Sequence, residues 1–465
     1  MIRGGISVSM LWNLLDRAET GEYMPEVDFN MRLSREIKRL VKEYGIKFDR
    51  DRPIPADKSL ANDVFNASLD LLRNMGVYCE NTNRTIKFTD DEIRKVTNKS
   101  WRCVRFGEGN EIHAISTRKA EDQTPPTIMG GGAGTLISEG QIYVRNMASY
   151  AKEPLNQIIM ANTPATIEGR PIRARSPLEV HAAKCEVSWI REAARTIGRP
   201  SMPIVGTASG LSAQAQISAA SSDGGLRKSD GHLISMATDL KTNYETLSKV
   251  CHTLEYGGNI VSLYTSMYGG YAGGAEGLAI VCTAAPIAET ILHFATTHLI
   301  KAMHLNYVNT SCREALWATS VVMQAHGQNT GMLLSNDAFT SAGPCTDMVL
   351  YEIAANTIAS TVSGVAFLEG VGTATTANVD HATGLEVRCM SEVGHAVSRG
   401  SIKLDDANDI AMKILLKYEN RFQNPPLGKT FQECFDLKSI EPTSEWAGIY
   451  SKVAKELRDL GIPIS

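Results

Sequence analysis

Between residues 126 and 402, short apolar runs alternate with longer stretches of helical periodicity. The candidate strands are 127–129, 157–161, 202–205, 231–236, 260–266, 303–308, 332–335 and 365–369. The clearest helices between them are 177–197, 239–256, 276–300, 314–326 and 346–362. A short apolar run followed by a periodic stretch is a β–α unit, and successive β–α units lay their strands parallel. The repetition predicts an α/β chain folded as a (β/α)8 TIM barrel. A doubly wound open sheet is the alternative, since alternation alone does not separate the two. In both, chemistry gathers at the carboxyl ends of the strands.

The flanks read differently. Residues 1–125 are charged and helix-rich, with helical periodicity over 27–44 and 57–75. A hairpin is expected over 77–88, turning at 81–83, and Thr89-Asp90-Asp91-Glu92 is a capping box that opens another helix. No catalytic constellation lies here, and the segment is expected to pack on the barrel as an extension. Residues 403–465 return to amphipathic helices over 405–418 and 444–460, a C-terminal helical extension. The expected division is therefore 1–125, 126–402 and 403–465, with 126–402 as the catalytic barrel.

Net charge of −4 and 21% charged residues leave no basic face for a nucleic-acid backbone. The apolar stretch 278–300 is interrupted by Glu289, His293 and His298, and reads as a buried helix rather than a membrane span. The chain start is mildly apolar without a cleavage site, so no signal peptide is expected. Nine cysteines without a CxxC pair argue against a disulfide framework and for a cytoplasmic protein. No metal site is expected: Cys251-His252 and the trio His293, His298 and His304 lack the convergent spacing that zinc requires. There is no GxSxG elbow for nucleophilic catalysis.

The run 201–214, SMPIVGTASGLSAQ, is a strand end opening through small residues into a helix. Two glycine-rich stretches, 130–134 and 269–274, each follow a candidate strand; they suit either tight turns or close approach of a ligand to backbone. Asp337 falls near the end of the seventh strand, placed for a catalytic role or for capping backbone amides.

These segments resemble the corrinoid-dependent monomethylamine methyltransferases. The likeness runs through SMPIVGTASGLSAQ, SPLEVHAAKCE (176–186), GGYAGG (269–274), SAGPCTDM (341–348), ATGLEVRCMSEV (382–393) and GKTFQECFDL (428–437), and covers nearly the whole chain. It implies a TIM barrel assembled as a homo-hexamer. It also implies an enzyme that binds no cofactor permanently and passes a methyl group from an amine to cob(I)alamin carried by a partner corrinoid protein. One residue of the family's strand end is pyrrolysine, whose imine captures methylamine; that position falls here on Val205. Acidic positions near it fall on Leu233, with His232 beside it, and on Leu263. A polar and a tyrosine position fall on Asp337 and Phe339.

These replacements imply a small methylated substrate other than methylamine, either a quaternary ammonium or an N-methyl compound. A quaternary cation already carries a good leaving group and needs an aromatic cage. The expected assignment makes His232 and Asp337 catalytic and gives Val205, Leu233, Leu263, Tyr264, Tyr268, Tyr271 and Phe339 to the substrate. Gly269, Gly270, Gly273 and Gly274 are expected to face the corrinoid. A catalytically silent binding barrel and a methyltransferase for a thiol or methoxy donor are the alternatives.

Overall fold

The computed structural model describes residues 8–221 and 225–464. Residues 1–7, part of the stretch to which the signal-peptide expectation applies, lie outside them. Eight parallel strands close a barrel: β1 (Thr127–Gly131), β2 (Ile158–Met160), β3 (Ile204–Gly206), β4 (Gly231–Met236), β5 (Asn259–Tyr268), β6 (Thr297–His304), β7 (Leu334–Phe339) and β8 (Phe367–Gly372). Closure is made by β8 against β1 (Phe367↔Thr127) and by β2 against β3 (Ile159↔Ile204), which rules out the open sheet. Around it run α1 (Gln141–Ala151), α2 (Pro177–Thr196), α3 (Ala213–Ala219), α4 (Tyr244–Tyr256), α5 (Ala275–Leu292), α6 (Arg313–Asn329), α7 (Asp347–Val362) and α8 (Gly384–Arg399). Their starts follow local chemistry. Ser176, Ser212, Thr346 and Thr383 each accept a hydrogen bond from a first-turn amide, and Pro177 opens α2, where its missing N–H costs nothing.

Several boundaries differ from the sequence expectation: the helix expected over 239–256 begins at Tyr244, after a short strand at Lys241–Thr242, and the strands expected over 332–335 and 365–369 are Leu334–Phe339 and Phe367–Gly372. The largest difference lies between α5 and β6. The helix predicted over 276–300 ends at Leu292, and the strand predicted over 303–308 is Thr297–His304. Phe294, at a φ of 54°, turns the chain between them. Both elements are buried on every side, so neither shows a periodicity that would mark its end. Helix α5 is long and apolar enough to cross a membrane, but it is packed beneath the helix Lys58–Met75 and α6 as a core element.

The barrel interior is filled from below. The hairpin Cys103–Phe106 with His113–Ser116 places Val104, Phe106 and Ile115 under Met129, Ile158, Val205, Val261, Leu299, Leu333 and Phe367 in one apolar cluster. Burial of each large side chain stabilises by roughly 1.5–3 kcal/mol, and this plug leaves the carboxyl-terminal mouth as the way in. Gly131 has no room for a side chain there, since a Cβ would lie 1.9 Å from the Met160 carbonyl oxygen.

Segments before residue 126 pack against this barrel. The hairpin Val77–Cys79 with Arg84–Ile86 is extended by Lys241 and Thr242, and Phe48 N donates to Glu276 Oε1 of α5 (3.1 Å). Arg313 of α6 is paired with Glu419 of the C-terminal segment (2.7 Å). All nine cysteines are free thiols.

Candidate active site

Alternation along the strands decides which side chains meet in the mouth. Above the plug, Val205 of β3 lies fully buried, and Leu233 of β4 and Leu263 of β5 pack on the same cluster while keeping part of their surface accessible. Two residues further along each strand, Ser235 is exposed and Thr265 and then Met267 are half-buried, so the lumen is open on the β4–β5 side. On the opposite side, Ala133, Met303 and Phe339 form a small apolar group with Met267 and Val308.

Three charged side chains occupy the layer above the apolar floor. Lys301 of β6 places its Nζ 2.5 Å from Asp337 Oδ2 on β7, and their side chains are only 8% and 3% exposed. The same ammonium stands 3.5 Å from the centre of the Phe339 ring, a close cation–π contact. Glu369 of β8 is in register with Asp337 and has no solvent exposure. Neither Glu369 oxygen nor Asp337 Oδ1 receives a donor from another described group. Carboxylates only accept, so the contact of Glu369 with Asp337 is a hydrogen bond when one of them keeps a proton. That proton resides on Glu369: burial, the Asp337 charge and the bond itself push its pKa well above the usual range, against the pull of Lys301.

Carboxylates on the surrounding helices hold the loops that frame the mouth. Glu186 of α2 accepts from the amides of Ala208 and Ser209 (both 2.8 Å) and from the Ser209 hydroxyl, fixing the turn after β3. Glu352 of α7 accepts from the amides of Ser341 (3.0 Å) and Ala342 (2.9 Å) and from the Ser311 hydroxyl (2.6 Å), fixing the turn after β7. Burial raises both pKa values to about 7, despite those donors.

The expected site residues divide between the two faces of the strands. Val205, Leu233, Leu263, Asp337 and Phe339 all face the lumen. His232 does not. It lies on the outer face of β4, fully buried, with Nε2 3.1 Å from the Arg227 carbonyl and its ring edge-on to Tyr256 of α4. Burial lowers its pKa to about 4, so it is a neutral packing residue. The aromatic cage is also absent. Tyr264 points outward and bonds Asp239 Oδ1 (3.3 Å), Tyr268 packs with its ring tilted against His304 (centroids 4.9 Å), and Tyr271 is 47% exposed in the loop beyond β5. Neighbouring positions of a strand face opposite ways, so tyrosines close in sequence are dispersed in space. Phe339 alone reaches the lumen, and Lys301 already covers its face.

Gly269, Gly270, Gly273 and Gly274 form the loop between β5 and α5. Gly269 N donates to Gly273 O (2.9 Å) and Gly273 N to Gly270 O (3.0 Å), so those amides are spent within the turn rather than aimed at an anion. Sequence reasoning missed Lys301 and Glu369. Lys301 was hidden by extending α5 to residue 300; with 297–304 read as a strand, it shares a face with Leu299 and Met303. Glu369 is the one charge in the apolar run 365–371, a signal that was available. Among the described residues, no three His, Cys, Asp or Glu side chains converge to hold a metal.

A closed barrel with a dry, charged trio set in its mouth is the architecture of a (β/α)8 enzyme. The sequence profile of the family described as monomethylamine methyltransferase MtmB matches residues 9–462. MtmB1 of Methanosarcina acetivorans is 34% identical over 457 residues, spanning 97% of this chain and 98% of that one. MtmB3 of Methanosarcina barkeri is 34% identical over 455 residues, with the same shares. The crystal structure of Methanosarcina barkeri MtmB superposes with a TM-score of 0.94 at 33% identity, covering 97% of this chain and 98% of that one. The crystal structure of the hydroxylamine complex of MtmB gives the same values. The chain belongs to the monomethylamine methyltransferase family and is a methyltransferase by that membership.

Proposed function

We propose that this protein moves a methyl group from a small N-methylated compound other than methylamine to cob(I)alamin carried by a separate corrinoid protein. The observation that carries the reading is Val205. The resemblance places the family's imine-bearing residue there, and the valine is buried in the lumen floor with only apolar atoms to offer. No adduct with an amine forms at this position, so the donor must be held by the lumen itself. Leu233 and Leu263 supply an apolar floor beside it. Asp337 and Phe339, the pair on which a cage for a quaternary cation would rest, already hold the Lys301 ammonium. That favours an N-methyl amine over a quaternary donor.

The mouth also fits a protein partner. Leu211, Tyr271, Leu305, Val379 and Leu427 stand on loops around it at 41–67% exposure, an apolar rim against which a corrinoid protein would seat. Family membership further supports a homo-hexameric cytoplasmic enzyme without a resident cofactor. The test combines purified protein, reduced corrinoid protein and a panel of N-methyl amines, quaternary ammonium compounds, thiols and methoxy compounds, with methylation of cob(I)alamin followed by absorbance. Transfer from an N-methyl amine and none from methylamine is the expected result. Transfer only from thiol or methoxy donors overturns the substrate class, and silence with every donor favours a binding barrel.

A further inference from the structure

Glu369 has no structural reason to be a carboxyl group. It is fully buried, it borders Met129 on β1 and Asp337 on β7, and among the described residues no donor satisfies its oxygens. An apolar side chain of similar size would pack there without the desolvation penalty, and the ion pair of Lys301 with Asp337 is complete without it. The three groups nevertheless form a line across adjacent strands: Lys301 at the lumen, Asp337 between, Glu369 at the closed end. Exposure falls along that line, from 8% to 3% for the first two side chains and to nothing at Glu369.

We propose that Lys301, Asp337 and Glu369 form a proton relay that protonates the methyl-bearing nitrogen of a secondary or tertiary amine, with Lys301 as the catalytic residue that touches it. The proposal rests on the methyl-transfer reading above and names the class of donor. An amine entering a lumen floored by Val205, Leu233 and Leu263 sheds its proton to bulk water, because desolvation disfavours the charged form. From the neutral amine, loss of the methyl group would expel an amide anion, a very poor leaving group. Lys301 corrects this by giving one N–H proton to the nitrogen lone pair. Glu369 gives its proton to Asp337 as Asp337 passes one to the Lys301 amine, so that Asp337 is a carboxylate before and after the step and Glu369 becomes one.

The trio then holds two carboxylates and one ammonium beside the substrate ammonium, so the charges balance. The carbon–nitrogen bond breaks with its electron pair staying on nitrogen, which departs as a neutral amine. The methyl group is taken up by the electron pair of the reduced corrinoid. One proton from water restores Glu369. A quaternary ammonium has no lone pair, and the relay would stand idle. Among the described residues, the charged groups that act on Glu369 are Asp337 and Lys301; the facing residue of β1, Met129, does not titrate.

Infrared difference spectroscopy on the intact enzyme tests the proton step without methyl transfer. The wild type minus E369Q should show the carbonyl stretch of a protonated acid, and binding of an N-methyl tertiary amine should abolish it. Lys301→Arg keeps the charge and the pairing but cannot release its proton. In that variant the acid band should persist when the amine binds, which a purely structural lysine would not explain. In the transfer assay, E369Q and K301R should lower kcat by ~10²–10⁴-fold with KM little changed, the usual span for a lost acid catalyst. Absence of the acid band in the free enzyme, or E369Q turning over as fast as wild type, overturns the relay while methyl transfer stands. Loss of the band on amine binding with no transfer from any donor upholds the relay's proton step and overturns the methyl-transfer reading.

Discussion

Removing the Asp337 carboxylate leaves the Lys301 ammonium over the Phe339 ring with no counter-charge and the Glu369 proton with no acceptor. Deleting one partner of a buried pair exposes the full desolvation cost of the other, typically ~3–5 kcal/mol. Asp337→Ala is therefore expected to lower unfolding free energy by that order in denaturant titrations, and Asp337→Asn by less. A cost below ~1 kcal/mol, the range of exposed pairs, would mean that Lys301 reaches water in the folded protein. At this scale the sequence was informative about position and silent about direction. It marked Asp337 and Phe339 as functional, and the same alternation that turns them inward turns His232 and Tyr264 outward.

Elements are tied together at the mouth by helix-borne carboxylates. Glu352 of α7 is the acceptor for two amides in the turn after β7 and for the Ser311 hydroxyl in the loop after β6, and Glu186 of α2 accepts from two amides and a hydroxyl after β3. Glu352→Ala should strand Ser341 N and Ala342 N, at ~1–3 kcal/mol for each buried donor left unpaired. Hydrogen exchange should report it locally, as faster exchange of the Ser341 and Ala342 amides; unchanged protection there would show that the turn holds itself. Glu352→Gln retains an acceptor and should restore most of the protection. Neither clamp was legible beforehand, because each joins residues brought together by the barrel: Glu352 follows its turn by 10 and 11 residues, and Glu186 precedes its turn by 22 and 23. The misplaced boundary between α5 and β6 has the related cause that full burial erases amphipathic patterning.

For the whole molecule, buried titratable groups of two kinds set the pH range of stability. Burial raises Glu186 and Glu352 to about 7 and Glu386 to about 8, from an ordinary value of 4.5. A group whose folded pKa is raised contributes stability that is complete below its unfolded value and lost as pH rises through the folded one. Burial lowers His232 and His395 to about 4 and His293 and His326 to about 3, from 6.5. Their contribution is present above 6.5 and is lost as pH falls toward those values. Melting temperature should therefore peak near pH 6.5, falling below it as the four histidines outweigh the three carboxyls and falling above it until the carboxyl contribution is spent by about pH 8. Thermal melts from about pH 5 to about pH 9 check this. A profile flat from about pH 6.5 to about pH 8 would show that the three glutamates are already ionised in the fold.

The order of the barrel strands, the capping box at Thr89–Glu92 and the lineage followed from the sequence alone, because local periodicity, cap chemistry and long ungapped motifs are written in neighbouring residues. The same is true of the five lumen positions marked by the resemblance. Tertiary structure alone decided that the barrel closes, that the hairpin Cys103–Phe106 with His113–Ser116 seals its floor, and that Lys301, Asp337 and Glu369 meet. Those three lie on three strands with whole helices between them. Their meeting depends on strand register and on which face each residue takes, and a shift of one residue in any strand would carry its side chain out of the lumen.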